Sequence, residues 1–163
     1  MNLQEKTEIN SLTNRNSLLK SEKYLTRLSS QNQSILLNHL KWYQTARNNQ
    51  KTPKGKWNTW LVLAGRGWGK TRTGAQDIAF YGLTKPNSRI AIVTPTFGDG
   101  RDTCVEGVSG LLSCIQADLI ENWNRSIGEL KLKNGTIYKT FSAEQPDRLR
   151  GPQFHRAWCD ELG

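Results

Sequence analysis

The chain has 163 residues, with 23 Lys and Arg against 14 Asp and Glu, a formal net charge of +9 and a pI near 9.7. That length suits one domain with a real core and is too short for two full ones, and the basic balance suits work beside a polyanion, nucleic acid in preference to a membrane. No apolar run approaches the roughly 20 residues of a spanning helix, the N-terminus is polar without a signal-peptide core, and Cys104, Cys114 and Cys159 stand at unrelated spacings with no C-x-x-C pair and with His39 and His155 far apart, so the sequence predicts a cytoplasmic protein with neither a disulfide framework nor a structural zinc site.

Residues 1–30 are rich in Asn, Ser and Lys, and their leucines keep only a broken helical period, which predicts a flexible polar tail. Ile35, Leu36, Leu37, Leu40 and Tyr43 then recur at spacings of three and four, predicting a helix whose apolar stripe docks on the core. From Arg47 to Lys56 the chain is polar and basic, with Pro53 and Gly55 keeping it out of regular structure. Two readings of this connector stand side by side: a solvated linker, and a loop that lies against DNA or other phosphates.

Leu61 to Ala64 is apolar on both faces and stops at glycine, which predicts a buried strand. Gly65-Arg66-Gly67-Trp68-Gly69-Lys70-Thr71 follows and opens a predicted helix. Glycines let the backbone turn tightly and point successive N–H groups at one anion; Lys70 brings a positive charge to β- and γ-phosphates, the Thr71 hydroxyl suits Mg²⁺, and the helix N-terminus adds its dipole. The residues therefore read as a phosphate-binding loop for ATP with Mg²⁺. The strict pattern G-x-x-x-x-G-K-[ST] is missed by one place, because its first glycine falls at Ala64 and the glycine comes at position 65.

Downstream, Lys70 to Leu83 predicts a helix with Ala75, Ile78, Ala79 and Leu83 on one face, and Arg89 to Thr94 a second buried strand closed by Pro95. Strand, helix and strand together predict a βαβ unit and hence a mainly parallel α/β sheet. Asp99 to Ile115 reads as a helix despite Gly107 and Gly110. Asn134-Gly135 between two alternating runs predicts an antiparallel hairpin with a two-residue turn. Near the end, Ala157-Trp158-Cys159 reads as the buried part of a strand ending in Asp160-Glu161, with His155 and Arg156 at its entry. An apolar strand ending in adjacent acids resembles a Walker B element, in which Asp160 would hold Mg²⁺ and Glu161 would orient and activate the attacking water.

With both elements placed, the run from Arg47 to Gly163 resembles the ATPase domain of the large terminase subunit, the DNA-packaging motor of tailed bacteriophages, prophages and related gene transfer agents. The resemblance is carried by Ala46-Arg47, Gln50, Pro53, Gly55 and Trp57; by Trp60-Leu61 and the loop from Gly65 to Thr71; by Arg72, Gly74 and Ala75; by Pro95-Thr96-Phe97, Arg101-Asp102-Thr103 and Val105-Glu106-Gly107; and by Arg148 to Gln153 before Trp158-Cys159-Asp160-Glu161. It implies a P-loop NTPase fold with an N-terminal helical segment and an inserted hairpin. It also implies that Arg66 contacts the γ-phosphate and stabilises transition-state charge, and that Gln50 helps recognise adenine, against the alternative of an ordinary surface glutamine. The implied partners are double-stranded DNA, the portal protein, the small terminase subunit and further copies in a ring.

Large terminase subunits continue past Walker B into further strands and a nuclease domain. The sequence therefore predicts a partial ATPase domain over 31–163 that binds ATP with little turnover and has no nuclease site. The alternatives are another helicase-like or recombinase-like P-loop ATPase acting on nucleic acid, and a non-catalytic remnant.

Overall fold

The structure, a computed structural model, describes residues 29–161; the tail predicted over residues 1–30 lies almost wholly outside them. Ser30–Thr45 forms helix α1 and Lys70–Thr84 helix α2, and five strands follow: β1 Arg89–Thr94, β2 Ile120–Asn124, β3 Glu129–Leu132, β4 Ile137–Ser142 and β5 Arg156–Cys159. Residues up to Lys41 and from Trp42 onward form two separate units. Helix α1 is present as predicted, although within it only Ile35 is buried and Leu37 and Leu40 are about half exposed. Among the described residues no helix is long and apolar enough to cross a membrane.

In the second unit the strands make one open sheet in the order β2-β3-β4-β1-β5. Ile90, Ala91, Ile92 and Val93 of β1 are buried, and parallel partners flank the strand, β4 on one side and β5 on the other, as suits a central strand of a covered sheet. β3 runs antiparallel to both β2 and β4, giving a parallel centre with an antiparallel margin. Helix α2 lies against this sheet through tight contacts. The Tyr138 hydroxyl on β4 donates to the Ile78 carbonyl at 3.1 Å, and Gly74 leaves room for Trp158 of β5.

Five sequence expectations are corrected. Leu61–Ala64 is not a strand: it is irregular chain outside the sheet, with Leu61 and Leu63 73% and 86% exposed. An apolar run becomes a strand only where it joins a ladder, and among the described residues the sheet consists of β1 to β5 without this segment. No βαβ unit therefore runs through α2; the parallel pairs are β1 with β4 and β1 with β5.

Asp99 to Ile115 is not one helix. A π-helical turn, Asp99–Val105, is closed by Glu106 N–H donating to the Arg101 carbonyl, and a 3₁₀ turn follows at Leu111–Ser113. Gly107 and Gly110 fold onto this turn so closely that a Cβ on them would meet the carbonyl oxygens of Thr103 and Val105 at 2.5 and 2.7 Å.

The hairpin forms, but its turn is longer than predicted. Leu132 N–H donates to Thr136 O and Gly135 N–H to Leu132 O, and of the pair Asn134-Gly135 only Gly135 has positive φ, at +84°. A two-residue type I′ turn needs positive φ at both central positions, so the loop settles with three residues, 133–135. The Asn134 side chain instead donates to the Gly82 carbonyl at 2.8 Å, satisfying the C-terminal end of α2. In β5, finally, Trp158 alone is buried and Ala157 and Cys159 are exposed, because β5 is an edge strand among the described residues.

Candidate nucleotide site

The glycine loop reaches α2 through two left-handed residues, Gly67 at φ +76° and Gly69 at φ +91°, where any side chain would be strained. Gly69 is also the N-cap of α2, so the first N–H groups of the helix, which have no partner inside it, open beside the loop. Lys70 folds back over the loop, and its ammonium donates to the Ala64 carbonyl at 3.0 Å and to that of Gly65 at 3.5 Å. Behind the loop the Trp68 carbonyl accepts two donors, Gln50 Nε2 at 2.9 Å and the Arg47 guanidinium at 3.1 Å.

The two predicted elements meet at the mouth of this loop. Asp160 N–H continues the β1 ladder by donating to the Val93 carbonyl, and Thr71 Oγ1 donates to Asp160 Oδ2 at 3.3 Å across 89 residues of sequence. Glu161 then turns off the strand with a left-handed φ of +49°, a conformation that costs a non-glycine residue on the order of 1–2 kcal/mol. A cavity of about 400 Å³ is lined by Arg66 to Thr71 and by Glu161, and a smaller one of about 160 Å³ by Thr71, Cys104, Asp160 and Glu161. Burial pushes the Asp160 carboxyl above the usual range; the hydrogen bonds from Cys104 and Thr71 oppose this, Glu161 adds to it and Lys70 relieves it. A half-buried carboxylate beside a hydroxyl and an ammonium suits a bound cation paired with an anion.

Of the residues expected from sequence, Arg66, Gly67, Trp68, Gly69, Lys70, Thr71, Asp160 and Glu161 come together around these cavities. Gly65 and Gln50 do not line them. Gln50 is 8% exposed, which excludes the surface-glutamine reading. Its amide is engaged at both ends, Oε1 accepting from Arg47 N–H at 2.9 Å while Nε2 holds Trp68. One contributor escaped the sequence reading: Cys104, carried on the π-helical turn, points its thiol at Asp160 Oδ2, 3.5 Å away, and belongs to no motif whose spacing would single it out. Arg47, which the resemblance and the basic connector both mark, shares the Trp68 carbonyl with Gln50.

The sequence matches the N-terminal family of T4likevirus-type large terminase subunits over residues 61–162, well over half of the chain. The chain belongs to this family. Among solved structures, this terminase chain is similar to the large terminase ATPase domain of Thermus phage P74-26, with 21% identity and a TM-score of 0.48. That similarity covers 60% of this chain and 45% of the other, so the chain spans less than half of the length of that structure. No curated protein matches.

Cysteine chemistry gives the terminase site a simple check. Burial raises all three thiols, Cys104 far above its ordinary range with the Asp160 carboxylate adding to the effect, and of the three only Cys159 is exposed. Alkylation at neutral pH should therefore mark Cys159 first and reach Cys104 and Cys114 only on unfolding, as peptide mass spectrometry would show. Prompt labelling of Cys104 in folded protein would contradict the packing described.

Proposed function

We propose that this terminase segment binds ATP with Mg²⁺ in the cavity between the glycine loop and the end of β5, as the nucleotide-binding part of a motor that packages double-stranded DNA. The observation that carries the reading is the contact of Thr71 Oγ1 with Asp160 Oδ2 at 3.3 Å, which joins a phosphate-loop hydroxyl to the acid at the end of β5. Thr71 and Asp160 are the residues that would hold the metal, and bound Mg²⁺ would neutralise charge on the phosphate oxygens. Lys70 and the free N–H groups at the start of α2 serve the phosphates. Glu161, held off the strand and lining both cavities, serves as the base that orients water. Arg66, exposed on the same cavity, serves the γ-phosphate. Gln50 acts first as the brace of Trp68, and an adenine contact would have to use its remaining N–H.

The proposed nucleotide-binding region belongs to the unit that begins at Trp42. Its DNA contact is assigned to the basic connector, where Lys54 and Lys56 are exposed. In the complete motor the partners would be the portal protein, the small terminase subunit and further copies of the chain.

Titrating ATP with and without Mg²⁺ tests the site. Mg²⁺ should tighten binding to the unsubstituted protein, and Thr71→Val or Asp160→Asn should remove that increment while leaving Mg²⁺-free binding in place. An increment that survives both substitutions would count against the assignment.

A further inference from the structure

Arg156 is the residue of β5 least suited to a buried strand, and the structure gives it an unusual setting. Its guanidinium lies between two aromatic rings, 4.6 Å from the centroid of Trp57 and 4.8 Å from that of Tyr81. It also donates to both carboxylate oxygens of Asp77 on α2, at 3.0 and 3.1 Å, with both side chains largely buried. Asp77 in turn accepts from Thr52 Oγ1 at 2.8 Å. One cation thus fastens three pieces: the strand that ends in Asp160, the helix that begins at Lys70, and the connector before the loop.

The other end of that connector is the brace already described, where Arg47 and Gln50 hold the carbonyl of Trp68. Residues 47–57 therefore form a strap tied at both ends. A peptide group is planar and trans, so its N–H points opposite its C=O. Pulling the Trp68 carbonyl toward the strap turns the Gly69 N–H away from it. The peptide turns through ψ of Trp68 and φ of Gly69, and Gly69, at φ +91°, has the backbone freedom to let it rotate if the strap lets go.

We propose that Arg156 is a positioning residue for the phosphate loop, acting through the strap 47–57 to set the orientation of the Trp68–Gly69 peptide. This rests on the nucleotide reading of the site. Arg156 suits the task better than lysine would, since a planar guanidinium can stack on two rings while its edge binds a carboxylate.

The test uses the whole chain and two readouts: ATP affinity with Mg²⁺, and the rate at which trypsin, without nucleotide, cuts the strap after Arg47, Lys51, Lys54 or Lys56. Arg156→Met should weaken ATP binding roughly three- to thirtyfold and speed strap cleavage several-fold. Arg156→Lys should fall between the two. Gln50→Leu should weaken binding similarly, and the double variant Gln50→Leu/Arg156→Met should be no weaker than the poorer single, because both cut the same strap. A merely structural salt bridge would instead give additive losses, and that result, or unchanged affinity and cleavage in Arg156→Met, would overturn the inference. If Arg156→Met does not fold by circular dichroism, Trp57→Leu and Thr52→Val cut the fastening from the strap side and carry the same expectations. Failure of the nucleotide reading is distinguishable: the unsubstituted protein would not bind ATP, and strap cleavage would still decide whether Arg156 holds the strap.

Discussion

Replacing Lys70 with alanine is expected to weaken ATP binding roughly ten- to a hundredfold, the effect of losing a charge-assisted hydrogen bond of about 1.5–3 kcal/mol. The side chain has nowhere else to act. It lines the loop cavity, and its ammonium is held on the carbonyls of Ala64 and Gly65, within the loop that would close around phosphate. The fold should be little affected, because Lys70 sits at the first position of α2 with its head group outside the core. Parallel titrations of the two proteins check this, with thermal unfolding as the control; equal affinities would remove the loop from the site.

Gly74→Ala is expected to disturb the molecule far more than one methyl group suggests. A Cβ at this position would stand 2.3 Å from Cε2 and Nε1 of Trp158, the buried residue of β5. The indole lies between helix and sheet and can yield only by moving the strand, a kind of overpacking that costs about 1–3 kcal/mol and lowers the melting temperature by several degrees. Asp160 lies two residues beyond Trp158, so the Mg²⁺-dependent part of ATP binding should fall with it. Gly65→Ala makes the contrast, since that position has no atoms within 4 Å of the added carbon and no positive φ. It should leave stability unchanged. A Gly74→Ala protein as stable as its parent would show that Trp158 is not packed as described.

The site was more legible in the sequence than the path of the chain around it. The chemistry of the loop is local: glycines, a lysine and a threonine in fixed order specify the left-handed turns at Gly67 and Gly69 and set Lys70 and Thr71 beside the candidate cavities. Asp160 and Glu161 needed only the end of a strand to be placed. Leu61 and Leu63 were misread because periodicity reports what a segment could bury and not whether a neighbouring strand is there to pair with it. The stretch after Pro95 was misread for a different reason. Gly107 and Gly110 act there by close approach to the carbonyls of the π-helical turn, a tertiary requirement with no periodic signature. Gln50 shows the same limit: the resemblance marked the residue, while its burial and its hold on Trp68 depend on a partner 18 residues away. Arg156 looked like a misfit in a strand until Trp57 of the connector and Asp77 and Tyr81 of α2 converged on it.

The account stands on recognition through phosphate, and a titration series over ATP, ADP, AMP and adenosine tests that most directly. Binding to the glycine loop, Lys70 and the Thr71–Asp160 pair predicts affinity that climbs with the number of phosphates, with ATP tightest in the presence of Mg²⁺ and adenosine without measurable binding. Adenosine or AMP binding as tightly as ATP would place recognition on the base instead and contradict the site described.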